Sequence, residues 1–192
     1  MSSGQLLPNV DAGALKSYGS TIEEARADLF GLYYIADEKL VELGLLPDNT
    51  AYKSQYYTYM LNGLFTQLVR IKPGAQIEES HMRNRALICR WVLEHSNGNV
   101  ELKKVDGKSC LLIHDYTMLR SLFAELLAEI QRIKSEGDYE AARRIVETYG
   151  VSVDRELHEE VLARYESLNI APYKGFINPI LKPVFDNEGE IT

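Results

Sequence analysis

The chain has 192 residues, of which 45% are hydrophobic and 26% are charged. This length and composition are typical of a globular protein with one large or two small domains. The 21 basic residues against 28 acidic ones give a formal net charge of −7, which argues against nucleic acid or an anionic membrane surface as a partner.

The two cysteines and the N-terminal residues indicate the compartment. Cys89 and Cys110 are too few for a disulfide framework or a cysteine zinc site, and both lie among apolar residues, which predicts buried free thiols in a reducing compartment. The first residues lack the basic and apolar regions of a signal peptide. No apolar run approaches the ~20 residues that cross a bilayer. We therefore expect a cytoplasmic protein.

The chain is predicted to be mainly α-helical, a multi-helix domain with one β-hairpin. Residues 1–19 are rich in Ser, Gly, Pro and Asn and are predicted to be irregular, whereas residues 171–192 contain three prolines and are predicted to be extended. Between them, residues 20–170 form the helical domain. Apolar periodicity, capping residues and glycines predict six helices, at 21–43, 51–71, 76–96, 116–136, 139–149 and 155–168.

Residues 100–114 interrupt the helical pattern. β-prone residues stand on both sides of Asp106–Gly107, and an Asp-Gly pair between such runs is a strong hairpin signal. Asp115, Asp138 and Asp154 each precede a helical segment and are predicted to cap it. The sequence therefore predicts a hairpin between the third and the fourth helix.

The first predicted helix begins with an unusual concentration of acids, in STIEEARADLF. Ser20-x-x-Glu23 and Thr21-x-x-Glu24 both fit a capping box, but one helix has one N-cap, so capping explains only one of the two glutamates. At about 100° per residue, Glu24, Asp28, Gly31 and Ile35 share one stripe. A carboxylate on that largely apolar stripe is costly unless it is paired or metal-bound. Capping, a solvated face and a functional acid site all remain open at this point.

The third predicted helix places polar groups on an apolar element. His81, Arg85, Ile88 and Val92 share a narrow stripe. A histidine and an arginine one turn apart can reach one anionic or carbonyl group together. The alternative is a surface histidine beside an arginine that forms a salt bridge.

The other histidine patterns are weaker. Glu78-x-x-His81 has the spacing found in carboxylate-bridged di-iron bundles, but such a site needs a second Glu-x-x-His, which the chain lacks. His95, His114 and His158 lie near predicted helix or strand ends or on charged faces, and we interpret them as structural.

The stretch EEARAD, Glu23 to Asp28, resembles the second zinc motif, Glu-Glu-x-Arg-Ala-Glu/Asp, of the dipeptidyl peptidase III family of zinc aminopeptidases. The stretches GQLLP, ADLFGLYYI, HMRNRALICRWVLE and APYKGFINP are also similar to bacterial members, so the resemblance covers nearly the whole chain. It implies part of the helical catalytic lobe of a two-lobed zinc peptidase, which removes dipeptides from the N-terminus of short peptides.

The resemblance assigns the acids to the zinc site. It implies that Glu24 is the third zinc ligand, that Glu23 orients a ligand histidine through its ring N–H, and that Asp28 is another acid behind the ligands. Ala25 stands where many members have cysteine, at a position that is not a ligand.

The resemblance also assigns residues to the substrate. His81 is similar to a family residue that stabilises the polarised peptide carbonyl, and Arg85 to one that organises the substrate cleft. Lys174 is similar to a basic residue that meets the C-terminal side of the peptide, although its neighbour Tyr173 is arginine in eukaryotic members.

The chain departs from the family in one respect. The family holds zinc with two histidines of an upstream His-Glu-x-x-Gly-His helix, and this motif does not occur in the 192 residues. We expect the chain to begin just downstream of it, so that the upstream zinc-motif segment and a substrate-facing partner lobe are its partners. Because catalytic zinc needs three protein ligands, the chain alone is expected to bind no zinc tightly and to be inactive. The alternative is a non-catalytic helical domain that kept the scaffold and serves binding or structure.

Overall fold

The computed structural model describes residues 13–170, and these residues form seven α-helices and one antiparallel hairpin. The helices are α1 (Gly19–Tyr34), α2 (Glu38–Glu42), α3 (Tyr52–Leu64), α4 (Ser80–His95), α5 (Tyr116–Glu136), α6 (Tyr139–Val146) and α7 (Arg155–Leu168), and the strands are β1 (Val100–Val105) and β2 (Lys108–Ile113). Short helical turns at Lys16–Tyr18, Thr66–Arg70 and Glu147–Val151 complete the fold. The predicted fold class, mainly α with one hairpin, is confirmed. The prediction of an extended tail at 171–192 lies outside the described residues.

The hairpin turns at the predicted residues. Asp106 has φ 49° and Gly107 has φ 75°, the left-handed backbone that a two-residue turn between twisted strands requires. Val105 pairs with Lys108 and Val100 with Ile113, so the register is regular along the whole ladder.

The aspartates predicted as caps lie at three helix N-termini. The Asp115 side chain accepts hydrogen bonds from the backbone N–H groups of Thr117 and Met118, and Asp138 and Asp154 do the same at α6 and α7. Gly137, with φ 64°, ends α5. These signals are local in sequence, which is why the pattern predicts them well.

The first predicted helix, 21–43, starts within two residues of the observed helix but is too long. A 3₁₀ turn leads directly into α1, which begins at Gly19. The N-cap residue is Tyr18, and its side chain makes no capping hydrogen bond. Neither predicted capping box therefore forms. Helix α1 ends at Tyr34, and the Asp37 side chain caps the separate short helix α2. The apolar pattern continues across this break, so periodicity alone cannot detect it.

The second and third predicted helices are too long. Residues 51–71 contain α3 and then a 3₁₀ turn, separated at Phe65 with φ −125° and ψ −65°. Helix α4 starts at Ser80 rather than at residue 76, because the preceding segment pairs elsewhere: the Ile77 N–H donates to the Val151 carbonyl. The Glu79 side chain then caps α4.

The fifth predicted helix, 139–149, is also too long. Helix α6 ends at Val146 and passes into the π-helical turn Glu147–Val151. In this turn Gly150 lies close to the backbone of Arg83 in α4. A Cβ at Gly150 would lie 3.1 Å from the Arg83 carbonyl oxygen, which leaves little space for a side chain.

Helices α1 and α4 lie at the centre of the packing. Helix α1 packs on α4 and α5, and α4 also packs on α3 and on the turn Glu147–Val151. Ile22, Ala25 and Leu29 form the buried face of α1. The buried Tyr56 of α3 donates a hydrogen bond to the Leu32 carbonyl at 2.7 Å, which ties α3 to α1. Among residues 13–170, no helix has both the length and the apolar character that a membrane crossing requires.

The two cysteines differ, which partly corrects the prediction that both are buried. Cys89 of α4 is fully buried, whereas Cys110 of β2 is half-exposed; both are free thiols. A Cβ on Gly63 would lie 2.3 Å from the Cys89 Sγ, so glycine permits the close crossing of α3 and α4. Burial raises the pKa of the Cys89 thiol, which makes it a packing group rather than a nucleophile.

Helix α7 is attached to the outer edge of β2 through Glu160. One Glu160 oxygen accepts from the Ser109 backbone N–H at 2.6 Å and from Arg164 at 3.2 Å; the other accepts from Lys104 at 2.5 Å and from the Ser109 hydroxyl at 2.8 Å. Arg164 also donates to the Ser109 carbonyl at 2.9 Å. The Lys104 ammonium, with the Ser109 and Arg164 donors, lowers the pKa of Glu160 to about 2.

Candidate functional site

The packing of α1 against α4 brings Glu24 and His81 together. The His81 Nδ1 lies 3.0 Å from the Glu24 Oε2, and the two side chains are 56% and 33% exposed. Glu24 stands one residue before the fully buried Ala25, and His81 is the second residue of α4. A carboxylate and an imidazole therefore meet at an accessible seam between two well-packed helices.

Asp28 lies one turn after Glu24 on α1 and is held from two sides. Its Oδ2 accepts a hydrogen bond from the Tyr59 hydroxyl of α3 at 2.8 Å and from the Asn84 Nδ2 of α4 at 3.0 Å. Burial raises the pKa of Tyr59 well above its ordinary value, and the Asp28 carboxylate raises it further, so the hydroxyl remains a donor.

Sequence reasoning missed both Tyr59 and Asn84. Tyr59 is one of several tyrosines in α3, and the helical pattern gives no reason to choose it. Asn84 had a partial signal in the sequence: it stands four residues before Ile88 and seven before Trp91, so it shares their apolar face of the helix. In the structure it is 1% exposed. A buried amide requires a partner, and the partner here is an acid of the predicted site.

Glu23 lies on a different side of α1 from Glu24. It forms ion pairs with Arg26, at 2.5 Å, and with Lys134 of α5. Successive residues of a helix point about 100° apart, so the neighbouring glutamates contact different helices. Among the described residues, Glu23 thus joins α1 to α5 rather than joining the Glu24–His81 pair.

Arg85 is half-buried on α4, one turn after His81. Within residues 13–170 its guanidinium has no hydrogen bond or ion pair, so the alternative of a salt-bridging arginine finds no acid there. Its charge acts on the nearby Tyr59 and Cys89 groups. The guanidinium can therefore accept an anionic or carbonyl group from elsewhere.

An open cleft of about 290 Å³ lies between α1 and α3 beside Asp28. Ala27, Gly31 and Ile35 form its α1 wall, and Thr58 and Tyr59 stand on the α3 wall. A Cβ added to Gly31 would meet no heavy atom within 4 Å. Within the described chain, the stripe that continues Glu24 and Asp28 is therefore uncovered.

A second cavity, an apolar groove of about 350 Å³, lies between α3, β2 and α7. Its walls include Tyr57, Leu61, Val69, Leu111 and Leu168. Its lining contains none of the predicted site residues and no carboxylate or histidine, so this groove is separate from the candidate site at the α1–α4 seam.

Comparison with known proteins identifies the family. The model of peptidase family M49 matches residues 10–169. The chain belongs to peptidase family M49. The resemblance to the dipeptidyl peptidase III family is confirmed.

Three relatives show how much of a longer M49 protein this chain corresponds to. It is 28% identical over 166 residues to dipeptidyl peptidase 3 of Rattus norvegicus and, equally, to that of Mus musculus; each match covers 77% of this chain and 22% of the relative. It is also similar to the solved structure of DPP III from Caldithrix abyssi, with a TM-score of 0.59, 25% identity, and coverage of 82% of this chain and 27% of that one. The chain therefore spans about a fifth to a quarter of the length of these relatives.

M49 is a metallopeptidase family, so the residues can be tested for their fit to a metal. Glu24 fits one ligand position, because it is a partly exposed carboxylate with one oxygen on His81 and no partner for the other within residues 13–170. In that same part of the chain, no three His, Cys, Asp or Glu side chains converge as metal ligands. The described M49 residues can thus supply one ligand and supporting acids, but not a complete site.

The remaining candidate residues lie apart from the seam. His95 lies 2.8 Å from the Trp91 carbonyl oxygen, and His114 lies 3.0 Å from Glu101. The sequence placed His158 near a helix end or on a charged face. In the structure it is buried, and its Nε2 lies 3.0 Å from the Leu68 carbonyl oxygen. Lys174 lies outside the described residues.

Proposed function

We propose that this M49 chain is part of a zinc-dependent dipeptidyl peptidase that removes dipeptides from the N-terminus of short peptides. The observation that carries the proposal is the contact between Glu24 and His81 across the α1–α4 seam. It joins a carboxylate that is suited to a metal, Glu24, with a group that is suited to a peptide carbonyl, His81. The family match and the similarity to dipeptidyl peptidase 3 of rat and mouse support it.

Glu24 supplies one carboxylate ligand in this proposal. Zinc, when bound, lowers the pKa of its water and polarises the scissile carbonyl. Asp28 supports the ligands from behind, as the family resemblance implies. The resemblance gives Glu23 the same role, which in this proposal it fills in addition to its ion pairs with Arg26 and Lys134. Two histidine ligands come from a His-Glu-x-x-Gly-His segment that these 192 residues do not contain, so the chain by itself binds no zinc tightly and cleaves no substrate.

His81 and Arg85 act on the peptide. His81 contacts Glu24 through Nδ1, which leaves its Nε2 available to donate to the substrate carbonyl. Arg85 can pair with a carbonyl or carboxylate of the peptide, since no described acid occupies it. Lys174 meets the C-terminal side of the peptide, again on the family resemblance.

The helical domain of residues 20–170 belongs, in this proposal, to the catalytic lobe of a two-lobed enzyme. The zinc-motif segment and the partner lobe complete the cleft. The free thiols of Cys89 and Cys110 are consistent with a reducing compartment, and we place the enzyme in the cytoplasm.

The test replaces Glu24 in the complete enzyme. Glu24→Ala is expected to abolish zinc binding, measured by competition with a chelator, and with it the cleavage of dipeptidyl arylamides. Glu78→Ala, which removes an exposed glutamate near the start of α4, is the matched control and should change neither. Full zinc occupancy and activity in Glu24→Ala would overturn the proposal and favour a non-catalytic helical domain.

Two further variants separate the roles. Glu23→Ala should weaken zinc affinity or activity roughly 10–100-fold, the scale for a residue that orients a ligand. His81→Ala should largely keep zinc affinity, because its pair with Glu24 is exposed and contributes little. It should lower kcat by about 10²-fold, the scale for one donor to a developing oxyanion. Loss of zinc in His81→Ala would instead show that His81 serves the metal.

A further inference from the structure

Tyr59 and Asn84 meet at a single oxygen of Asp28. The Tyr59 hydroxyl and the Asn84 Nδ2 both donate to the Asp28 Oδ2, at 2.8 and 3.0 Å, from two different helices. A carboxylate oxygen has two lone-pair sites, so two donors fill Oδ2. The Asp28 Oδ1 has no partner within the described residues. The carboxylate is therefore fixed in orientation with one oxygen left free.

The burial of Asn84 shows how specific this arrangement is. Asn84 is 1% exposed, and its Oδ1 has no hydrogen-bond partner in the described chain. An amide buried without partners costs free energy, and the bond to Asp28 is the single side-chain hydrogen bond that offsets this cost in residues 13–170. An apolar residue would fill the same place in α4 more favourably, unless the orientation of Asp28 matters.

We propose that Tyr59 and Asn84 are positioning residues, which hold the Asp28 carboxylate so that its Oδ1 stays available to support the metal site that Glu24 helps to form. This inference rests on the proposed function, because it needs the site that Glu24 helps to form. Asp28 lies one helical turn from Glu24, so its orientation decides which neighbouring group it can hold. A carboxylate that holds a metal ligand in the correct orientation raises the affinity for the metal.

The experiment measures zinc affinity and thermal unfolding of the complete enzyme by separate methods. Tyr59→Phe and Asn84→Ala are each expected to weaken zinc binding roughly 10-fold, the lower end of the effect of groups behind metal ligands. Tyr59→Phe removes one oxygen atom only, so it preserves packing and keeps the test valid if Asn84→Ala does not fold.

The chain offers matched controls for both variants. Tyr56, on the same helix as Tyr59, donates its hydroxyl to the Leu32 carbonyl. Gln67 is a buried amide with one unpaired oxygen in the described chain, and it donates to the Gly63 carbonyl. Tyr56→Phe and Gln67→Ala should lower the unfolding temperature without changing zinc affinity. Equal losses of zinc affinity in the controls would show that the effect is only structural and would overturn the inference.

A double-variant cycle tests whether both residues act through Asp28. In an Asp28→Ala background, Tyr59→Phe and Asn84→Ala should cause no further loss of zinc affinity. Additive losses, or unchanged affinity in the single variants while Glu24→Ala abolishes binding, would overturn this inference alone. If Glu24→Ala also left zinc binding intact, the proposed function would fail, and this inference with it.

Discussion

Glu160 and Glu24 are both glutamates at a contact between a helix and another element, but their surroundings differ. Glu160 is 15% exposed and receives two donors on each oxygen, from Lys104, Ser109 and Arg164. Glu24 is 33% exposed, and its one contact among the described residues is the exposed His81. The first carboxylate is saturated with hydrogen bonds, and the second is not.

The contrast extends to the groups around each glutamate. At the α1–α4 seam the buried Asn84 Oδ1 has no hydrogen-bond partner in residues 13–170. The hydrogen bonds to Asp28 there both go to Oδ2, and no hydrogen bond or ion pair joins the Arg85 guanidinium to a described residue. At the α7–hairpin contact the donors and acceptors are matched. A matched cluster stabilises the fold, whereas groups left over at a well-packed seam are available to another molecule or segment. What distinguishes the seam from the α7–hairpin contact is therefore a set of partly exposed charged groups, Glu24 and Arg85, that the described residues do not saturate.

The largest expected effect is a difference in stability between two alanine variants. Glu160→Ala removes four hydrogen bonds and leaves the largely buried Ser109 N–H unpaired, which should cost about 3 kcal/mol. Glu24→Ala should cost under about 1 kcal/mol, since its one described contact is an exposed pair. Urea unfolding of the 192-residue chain measures both, and equal losses would contradict the contrast.

A second prediction concerns acid. The folded-state pKa of Glu160, about 2, is below the ordinary value of 4.5, so its ionised form stabilises the fold above about pH 4.5. This stabilisation is lost as the pH falls from about 4.5 through 2, at up to about 1 kcal/mol per pH unit for one proton. Glu160→Gln should lack this part of the acid sensitivity in unfolding curves recorded from pH 6 to 2. An unchanged pH profile would show that other carboxylates dominate.

The smallest effect distinguishes two arginines of α4. Arg90 donates to the carbonyl oxygens of Tyr149 and Ser152, at 3.2 and 2.5 Å, so Arg90→Met should cost about 1–2 kcal/mol of stability. Arg85→Met should change stability by under about 0.5 kcal/mol, but should raise KM in the complete enzyme. A large loss of stability in Arg85→Met, measured by thermal unfolding, would show that Arg85 is structural.

The sequence predicts those features of the fold that are determined by residues close together in the chain. Asp115 and Gly137 mark the ends of α5, and Asp106–Gly107 marks the hairpin, because each acts on a backbone within a few residues of itself. The same holds for the stripe of Glu24 and Asp28, which follows from helical geometry alone.

What the sequence does not predict depends on distant partners. Helix α4 starts at Ser80, later than predicted, because the Ile77 N–H donates a hydrogen bond to the carbonyl oxygen of Val151, which is 74 residues further along the chain. Tyr59 and Asn84 become part of the candidate site only because Asp28, far from both in sequence, reaches them. No periodicity records such a pairing, and helical spacing alone does not show which polar residue of a buried face has a functional partner.

The attachment of α7 to β2 has a consequence for the behaviour of the chain at high concentration. The Ser109 N–H and carbonyl are the groups that a further strand would need in order to extend the sheet, and Glu160 and Arg164 already occupy them. The next outward position on β2, Leu111, is 4% exposed. A two-stranded sheet with an open edge invites pairing between molecules and aggregation. Two charged side chains of α7, Glu160 and Arg164, therefore close the β2 edge of the hairpin to such pairing at Ser109.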